Sequence, residues 1–348
     1  MNPKILIIYT GGTIGMIEDP GTRKLMPFDF DHLIDNVPKI KMLNYEIDHV
    51  QFDRPIDSSN MDPSLWGEIA GMIRRAYAAY DGFVVLHGTD TMAYTASALS
   101  FMLDNLNKPV IITGSQLPIG EVRTDGEENL ITALQIAAAK RPDCNDTGAS
   151  AMVTEVAILF ENYLWRGNRA TKMSADNFNA FRSPNYPRLA HIGLGIDFNE
   201  ESLWRTPSRR PLNVRTDMDP NVTVVNIFPG MTEQSLRHQL SVPGLKGVVL
   251  RTYGAGNAPT GQWFLRPLKE AVDRGVIVLN VTQCITGGVF QARYDAALPL
   301  WEIGVLPGHD ITTEAALTKM MFLFGLGETP EEVRYYLSHA LCGEMTMK

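Results

Sequence analysis

The sequence contains little cysteine, and this scarcity argues against a disulfide-stabilised class of protein. Its 348 residues include three cysteines, Cys144, Cys284 and Cys342, and no C-x-x-C pair. An odd number of cysteines without that spacing argues against a disulfide framework and against a zinc site. The cysteine content therefore indicates reduced thiols in a reducing compartment.

Clustered positive charge and long apolar runs are also missing. The chain has 31 Lys and Arg against 39 Asp and Glu, a net charge of −8, and no long basic run. This balance argues against nucleic acid or an anionic membrane as a partner. No apolar run approaches the ~18 residues that a membrane span needs, and the first residues lack the charged region and cleavage site of a signal peptide. We therefore expect a soluble, cytoplasmic protein.

Length and patterning predict two α/β domains. A chain of 348 residues suits two modest domains with a sizeable core. Strand and helix patterns alternate through residues 1–198, which predicts a larger N-terminal domain with a parallel sheet and helices on both faces. Prolines and arginines break the alternation over 199–220, which predicts a linker. The alternation resumes over 221–348, where we expect a smaller α/β domain.

A glycine turn near the start of the chain presents a candidate nucleophile. The apolar run Ile5–Tyr9 predicts a buried strand, and Thr10-Gly11-Gly12-Thr13-Ile14-Gly15 follows it directly. Two glycines at the end of a strand indicate a sharp turn that something approaches closely. Open α/β sheets bind their ligands at this end of the strands. Thr13 is therefore the reactive group that the turn presents, and the long loop after it, Met16–Phe28, is predicted to be a lid.

A second strand, Gly82–Leu86, ends in the same way at His87-Gly88-Thr89-Asp90-Thr91. The helix predicted after it offers unpaired backbone N–H groups that suit a carboxylate or an oxyanion. Asp90 is equally consistent with a helix cap and with a functional role, in which it binds a substrate ammonium group or orients a proton-transferring group. His87 ends an apolar strand, and we interpret it as a packed, hydrogen-bonded histidine rather than as a member of a triad.

A threonine hydroxyl is a weak nucleophile and needs a base. Lys172 is a candidate because a lysine withdrawn from water loses its charge readily, although an ordinary surface lysine is the competing interpretation. Ser58 and Ser59 either contact a ligand carboxylate or build the turn before a helix. We predict that Asp62 caps this helix, that Pro63 takes its first position and that it runs through Tyr80. Phosphate-binding and metal-binding motifs fail on spacing. The residues therefore predict a hydrolase without cofactor or metal.

Taken together, these stretches resemble the bacterial-type L-asparaginase family, in particular its cytoplasmic type I branch. Leu6–Gly15 is similar to the family's first signature, and Gly82–Met92 is similar to its second. The resemblance covers nearly the whole chain through further stretches at Asp57–Ser59, Thr113–Gln116, Arg166–Lys172 and Arg251–Gly254. It implies a flavodoxin-like N-terminal domain, a smaller C-terminal α/β domain, and hydrolysis of L-asparagine to L-aspartate and ammonia through a threonine acyl-enzyme.

The resemblance also implies roles for individual residues. Thr13 resembles the nucleophile, and Thr89, Asp90 and Lys172 resemble the group that relays protons and activates water. Asp90 would also meet the α-amino group of the substrate, and a backbone N–H near Thr89 would serve the oxyanion hole. The substrate α-carboxylate would bind at Ser58 and Ser59, with the turn glycines Gly12 and Gly88 beside the substrate.

One departure from the family concerns the lid. Members commonly carry a tyrosine there that is hydrogen-bonded to the nucleophile, but no tyrosine occurs here between Tyr9 and Tyr45. The nearest counterpart, Leu25–Pro27, is apolar. Either another group assists Thr13, or Lys172 acting through Thr89 does more of the activation.

The family further implies a homo-oligomer, a dimer or a dimer of dimers. Some type I members bind asparagine at a second, regulatory site between the domains, near the counterparts of Arg251, Tyr253 and Cys284. For Cys284 itself, a buried thiol packed like a small apolar residue is the favoured interpretation.

Two other functions compete with the asparaginase. The amidase subunit of an archaeal-type tRNA amidotransferase shares both signatures, but it is expected to carry an additional N-terminal domain and a basic surface. An amino-acid sensor that binds asparagine without turnover is the third possibility. The intact set of Thr13, Thr89, Asp90 and Lys172 argues against a sensor.

Overall fold

The computed structural model describes residues 2–18, 21, 25–27, 37–142, 151–206, 210–290 and 298–347. The chain divides into two compact units, Met1–Thr216 and Asp217–Lys348. Cys144, part of the predicted lid and part of the predicted linker lie outside the described residues. The boundaries predicted at 198 and 220 stay predictions. Within that stretch, Asn213–Val214 pairs with Leu103–Asp104 of the first unit.

The first unit contains the larger share of the strands and helices. Its strands are β1 (Lys4–Gly11), β2 (Met16–Glu18), β3 (Leu25–Pro27), β4 (Glu46–Ile56), β5 (Gly82–Leu86), β6 (Leu103–Asp104), β7 (Val110–Thr113), β8 (Val156–Phe160), β9 (Tyr163–Arg166), β10 (Thr171–Lys172), β11 (Phe181–Arg182), β12 (Ala190–Ile192), β13 (Ile196–Phe198) and β14 (Asn213–Val214). Its helices are α1 (Pro63–Ala76), α2 (Met92–Met102) and α3 (Gly126–Ala138). Short 3-10 turns lie at Thr13–Gly15, Pro38–Leu43, Ser58–Asn60, Gly167–Arg169 and Glu200–Ser202.

The main sheet has eight described strands in the order β13-β12-β9-β8-β7-β5-β1-β4. Strands β4, β1, β5, β7 and β8 are parallel, and β9, β12 and β13 continue the sheet antiparallel. The central parallel strands are buried on both faces, which explains why Ile5–Tyr9 is a continuous apolar run rather than an alternating one. All of the parallel strands end at the same edge of the sheet.

Helices cover both faces of this sheet. Ile5, Ile7 and Tyr9 of β1 share a core cluster with Leu130 and Leu134 of α3. Because successive strand side chains point to opposite faces, Leu6 and Ile8 face the other side, where α1 and α2 pack. Burying one such side chain contributes about 1.5–3 kcal/mol to stability.

Hydrogen bonds at its two ends determine where helix α1 begins and ends. Asp62 caps it by accepting hydrogen bonds from the backbone N–H groups of Ser64 and Leu65, and Pro63 occupies the first helical position, as predicted. The helix ends at Ala76 instead of Tyr80. Lys108 donates to the carbonyls of Tyr77 and Tyr80, so a distant side chain satisfies the groups that a longer helix would have used.

The second unit is a smaller parallel α/β structure. Its strands are β15 (Val222–Asn226), β16 (Gly247–Thr252), β17 (Ile277–Thr282) and β18 (Leu306–Pro307), which pair in that order. Its helices are α4 (Glu233–Leu240), α5 (Gln262–Asp273), α6 (Leu298–Glu302), α7 (Thr313–Gly325) and α8 (Pro330–Leu337). Its own core joins strand residues such as Val248 and Val278 to Phe264 and Leu268 of α5. The two-part α/β fold predicted from the sequence is confirmed.

Candidate active site

Three loops meet at the carboxyl edge of the main sheet, and glycines set how closely they approach. Gly12 follows β1 with φ 89°, and a Cβ there would lie 2.4 Å from the backbone N of Gly88. A Cβ on Gly88, after β5, would lie 2.5 Å from Oγ of Ser58, after β4. Neither position has room for a side chain. The predicted substrate-binding residues Gly12, Gly88 and Ser58 are therefore brought into direct contact.

Thr13 stands in the 3-10 turn that follows Gly12. The turn is fixed from both sides: the backbone N of Gly12 donates to the carbonyl of Ile56 at 3.1 Å, and the Tyr9 hydroxyl donates to the carbonyl of Gly15 at 3.0 Å. Thr13 is half-buried, whereas Ile14 is fully buried. Two hydrogen bonds therefore hold the turn that carries Thr13.

Thr89, Asp90 and Lys172, which we call the Lys172 group, meet although the lysine is more than 80 residues from the other two in sequence. Nζ of Lys172 donates to Oγ1 of Thr89 at 2.8 Å and to Oδ1 of Asp90 at 2.7 Å. The side chain of Lys172 is 20% exposed and that of Asp90 is 63% exposed. Lys172 is therefore not an ordinary surface lysine. Asp90 does not cap α2, whose N-cap position is Thr91, and its carboxylate binds the lysine instead.

Gln116 also contacts the Lys172 group, and the sequence patterns did not single it out as a site residue. Oγ1 of Thr89 donates to Oε1 of Gln116 at 3.3 Å, and Nε2 of Gln116 donates to the carbonyl of Asn177 at 3.0 Å. The second bond fixes which end of the amide faces Thr89. The available signal was position, because Gln116 follows β7 at the same edge of the sheet.

The two serines differ in their surroundings. Ser58 is buried, and its carbonyl accepts a hydrogen bond from Oγ1 of Thr91 at 2.7 Å. Ser59 is exposed, and both its backbone N and its hydroxyl donate to Oδ1 of Asp57 at 2.9 Å. The serine turn is thus tied to the start of α2, next to Thr89 and Asp90.

His87 is packed and hydrogen-bonded, as we expected. Its side chain is 1% exposed. Its Nε2 lies 2.8 Å from Oγ1 of Thr95, which accepts from Nε1 of Trp66, and its Nδ1 lies 2.6 Å from the carbonyl of Gly88. Burial lowers the pKa of His87 to about 4, so the ring is neutral at physiological pH. The histidine supports the turn that carries Gly88 and Thr89.

Only part of the predicted lid is described. Strands β2 and β3 pair antiparallel, which makes a short hairpin directly after the Thr13 turn. Residues 19–20, 22–24 and 28 lie outside the described residues. The prediction that this segment is a lid stays a prediction.

The predicted regulatory residues lie at the carboxyl edge of the second sheet. Arg251 is in β16, Tyr253 follows that strand, and Cys284 follows β17. Three buried polar atoms at this edge lack a hydrogen-bond partner within the described part of the chain: Nε of Arg251, Oδ1 of Asn257 and Nδ1 of His309. The expectation of a buried Cys284 was wrong, because the residue is exposed in the polar turn after β17, where its backbone N donates to Oγ1 of Thr282.

The described ranges contain neither a cluster of metal-binding side chains nor a helix that could span a membrane. In those ranges, His, Cys, Asp and Glu side chains do not gather in groups of three or more that could hold a metal ion. Every helix of the same ranges is too short or too polar to cross a membrane. The absence of a cofactor remains a prediction.

Comparison with known proteins gives matches along the whole chain. The family model described as asparaginase, N-terminal, matches residues 4–204, and the model described as glutaminase/asparaginase C-terminal domain matches residues 221–337. L-asparaginase 1 of Escherichia coli K12 is 42% identical over 348 residues, which cover 98% of each chain.

Solved structures agree with these matches. The structure of L-asparaginase I from Vibrio cholerae superposes with a TM-score of 0.88 at 38% identity and 100% coverage of both chains. The structure of a protein described as a probable cytoplasmic L-asparaginase, from Campylobacter jejuni, gives a TM-score of 0.78 at 26% identity, covering 97% of this chain and 99% of that one.

Proposed function

The chain belongs to the asparaginase family, and from this premise we propose that it hydrolyses L-asparagine to L-aspartate and ammonia through an acyl-enzyme on Thr13. The observation that carries the proposal is the contact of Lys172 with both Thr89 and Asp90 at the edge of the sheet where Thr13 stands. Family membership supplies the reaction class, and this contact supplies the proton-transfer group that a threonine hydroxyl needs.

Substrate binding uses the three loops that meet at this edge. The substrate α-carboxylate binds at Ser58 and Ser59, and its α-ammonium group binds the exposed carboxylate of Asp90. Gly12 and Gly88 lack side chains, so the substrate can lie against the backbone there. The backbone N–H near Thr89, at the start of α2, receives the oxygen of the side-chain amide.

In the acylation step, Oγ of Thr13 attacks the side-chain amide carbon of asparagine. The threonine proton moves to the leaving nitrogen, the C–N bond breaks, and ammonia departs. The amide oxygen carries negative charge in the tetrahedral intermediate, which the backbone N–H near Thr89 stabilises. The product of this step is an aspartyl ester on Thr13.

In the deacylation step, water attacks the ester carbonyl and restores Thr13. Thr89 and Lys172 relay the proton that the water loses, and this proton returns to Oγ of Thr13 as L-aspartate leaves. Gln116 orients the hydroxyl of Thr89 in the resting site, since it accepts that hydroxyl's hydrogen while Lys172 donates to the oxygen. General acid–base assistance of this kind contributes roughly 10²–10⁴-fold in rate.

The full-length similarity to chains named L-asparaginase favours this function over the tRNA amidotransferase subunit and over the sensor. We further propose a cytoplasmic homo-oligomer, a dimer or a dimer of dimers. The family resemblance supports the assembly, and the similarity to the Campylobacter jejuni protein, itself described as probably cytoplasmic, supports the location.

A regulatory asparagine site is a second proposal for the same chain. It is favoured by the buried atoms of Arg251, Asn257 and His309 that are unpartnered among the described residues at the carboxyl edge of the second sheet. A buried polar atom without a partner is costly, and a ligand with a carboxylate and an amide can satisfy both donors and acceptors. L-asparagine carries both groups.

The test of the main proposal measures ammonia release from L-asparagine and L-glutamine. Thr13→Ala is expected to abolish release and to accumulate no aspartyl adduct in rapid-quench mass spectra, and Thr89→Val to slow release by at least tenfold. The matched control is Thr260→Ala, an exposed threonine of the second unit, which should behave as the wild type. If the wild type releases no ammonia, the enzyme is excluded. Full activity in Thr13→Ala would exclude that residue as nucleophile.

A further inference from the structure

Lys172 does not lie in the main sheet, so something else must hold it against Thr89. It ends β10, a strand of two residues that pairs with β11 among the described strands. Four of the eight residues in the loop between these strands, 173–180, are exposed. Upstream, the 3-10 turn Gly167–Arg169 joins β10 to the end of β9. On its upstream side, the position of Lys172 therefore depends on how that turn packs against its neighbours.

The turn is seated on α2, the helix that begins directly after Thr89, Asp90 and Thr91. A Cβ on Gly167 would lie 3.0 Å from Cβ of Ala96 in α2 and 2.9 Å from the carbonyl oxygen of Val156 in β8. The φ of Gly167 is outside the left-handed region, so the position needs glycine for space and not for conformation. Because the contact has no room for another atom, one extra methyl group moves the turn and α2 apart.

Buried arginines on both sides of Gly167 prevent the turn from sliding. The guanidinium carbons of Arg166 and Arg169 lie 4.2 and 5.1 Å from the ring centre of Tyr186. Nε of Arg166 also pairs with the buried carboxylate of Glu155 at 2.6 Å. The Tyr186 hydroxyl donates to the carbonyl of Ser202 at 3.0 Å, which fixes the ring. Moving either arginine would leave a buried charge without its partners, which is costly.

From these contacts we propose that Gly167 is a positioning residue of the active site. Its contact with α2 determines the distance from Lys172 to Thr89 and Asp90. The stacking of Arg166 and Arg169 on Tyr186 keeps that distance fixed. This inference rests on the proposed function, because it assigns Gly167 a role through Lys172. The two hydrogen bonds of Lys172 measure 2.7 and 2.8 Å, so moving the lysine away by more than about half an ångström takes them beyond the ordinary range.

The test is a double-mutant cycle on kcat with Gly167→Ala and Lys172→Met. Gly167→Ala is expected to lower kcat at least tenfold while KM changes less than threefold. In the Lys172→Met background the same substitution should change kcat less than twofold, because its effect passes through the lysine. Gly195→Ala is the matched control: among the described residues that glycine has nothing within 4 Å of an added Cβ, and the variant should keep wild-type kcat.

Additive losses in the cycle, or a Gly167→Ala enzyme with wild-type kcat, overturn the inference. If Gly167→Ala does not fold, the cycle is run with Tyr186→Leu, which removes the ring under both arginines, against Tyr186→Phe, which keeps it. Tyr186→Leu should then lose kcat only when Lys172 is present, and Tyr186→Phe should stay within threefold of the wild type. If the wild type releases no ammonia, the proposed function is wrong. If a crystal structure of Gly167→Ala shows an unchanged distance between Lys172 and Thr89, only the role of Gly167 is wrong.

Discussion

The carboxyl edges of the two parallel sheets differ in how completely their polar groups are paired. At the first edge, Lys172 contacts Thr89 and Asp90, and the hydroxyl of Thr89 also contacts Gln116. At the second edge, Nε of Arg251 and Nδ1 of His309 are buried without a partner in the described ranges. The first edge is thus organised before any ligand binds, whereas the second has buried nitrogen atoms that a ligand would satisfy.

This difference separates two uses of the same architecture. A site that accelerates a reaction gains when its groups are already in place, because no reorganisation is then needed in the transition state. A site that senses a ligand gains when binding completes an unsatisfied set, because the free energy released can shift a conformational equilibrium. The comparison therefore predicts large effects on rate from the first edge and moderate effects on cooperativity from the second.

After the loss of the nucleophile Thr13 itself, the largest effect is expected from Lys172→Met. Because the substitution removes the donor to both Thr89 and Asp90, kcat should fall by about 10²–10⁴-fold, measured as ammonia release at saturating L-asparagine. Lys246→Met is the matched control, since Lys246 belongs to the second unit, pairs with Asp219 at 2.6 Å and should leave kcat unchanged. A loss of less than tenfold for Lys172→Met would show that the Lys172 group does not carry the proton transfer.

The next effect concerns how the stability of the fold depends on pH through the buried His87. The folded-state pKa of His87 is lowered to about 4 by burial, from 6.5 in the unfolded chain. Between these values the unfolded chain binds a proton that the folded chain does not, so stability falls as pH falls from 6.5 toward 4, by about 3 kcal/mol in all. Urea unfolding at a series of pH values should show this loss in the wild type.

His87→Gln removes the titrating group, and its unfolding free energy should depend less on pH over that window. The exposed His238 provides the control, and His238→Gln should keep the wild-type slope. Burial also lowers the pKa of His309 at the second edge, and the charge of Asp310 partly opposes that shift. Equal slopes in the wild type and His87→Gln would refute the assignment of His87 as a buried neutral support.

Much of the first edge could be predicted because its signals are local. An apolar run followed by glycine and a hydroxyl marked Thr13 and Thr89, and the cap at Asp62 marked the start of α1. The partner of Lys172 could not be read in this way, because the contact joins residues 83 positions apart through a turn whose seating depends on Gly167. The residues left Lys172 as either a base or a surface lysine, the family resemblance favoured the base, and the packing explains how it reaches Thr89.

The errors have the same origin. Helix α1 was predicted to run to Tyr80, and a lysine 31 residues away from Tyr77 ends it earlier. Cys284 was expected to be buried on residue type alone, and the turn after β17 exposes it. In both cases tertiary context overrides the local preference.

A moderate effect is expected at the second edge from Arg251→Gln. If L-asparagine binds there, the wild type should show a sigmoidal rate curve, and the variant should need at least threefold more substrate for half-maximal rate while its kcat stays within twofold. Initial rates are measured with and without preincubation in L-asparagine. Arg266→Gln is the control, because that side chain is 61% exposed and pairs with Glu233. A hyperbolic wild-type curve that preincubation does not change would remove the regulatory site.

The smallest effect is expected on stability from Asp90→Asn, and it separates catalysis from folding at the first edge. Asp90 is 63% exposed, and an exposed ion pair contributes about 0–1 kcal/mol, so the free energy of unfolding should change by less than about 1 kcal/mol. Ammonia release should nevertheless fall at least tenfold, because the substrate ammonium and Lys172 both lose their carboxylate. Asp219→Asn is the matched control: its carboxylate is 16% exposed and binds Lys246 and Asn221, so it should cost more stability and no activity. If Asp90→Asn lowered the free energy of unfolding more than Asp219→Asn, the contact between Asp90 and Lys172 would serve mainly to stabilise the fold.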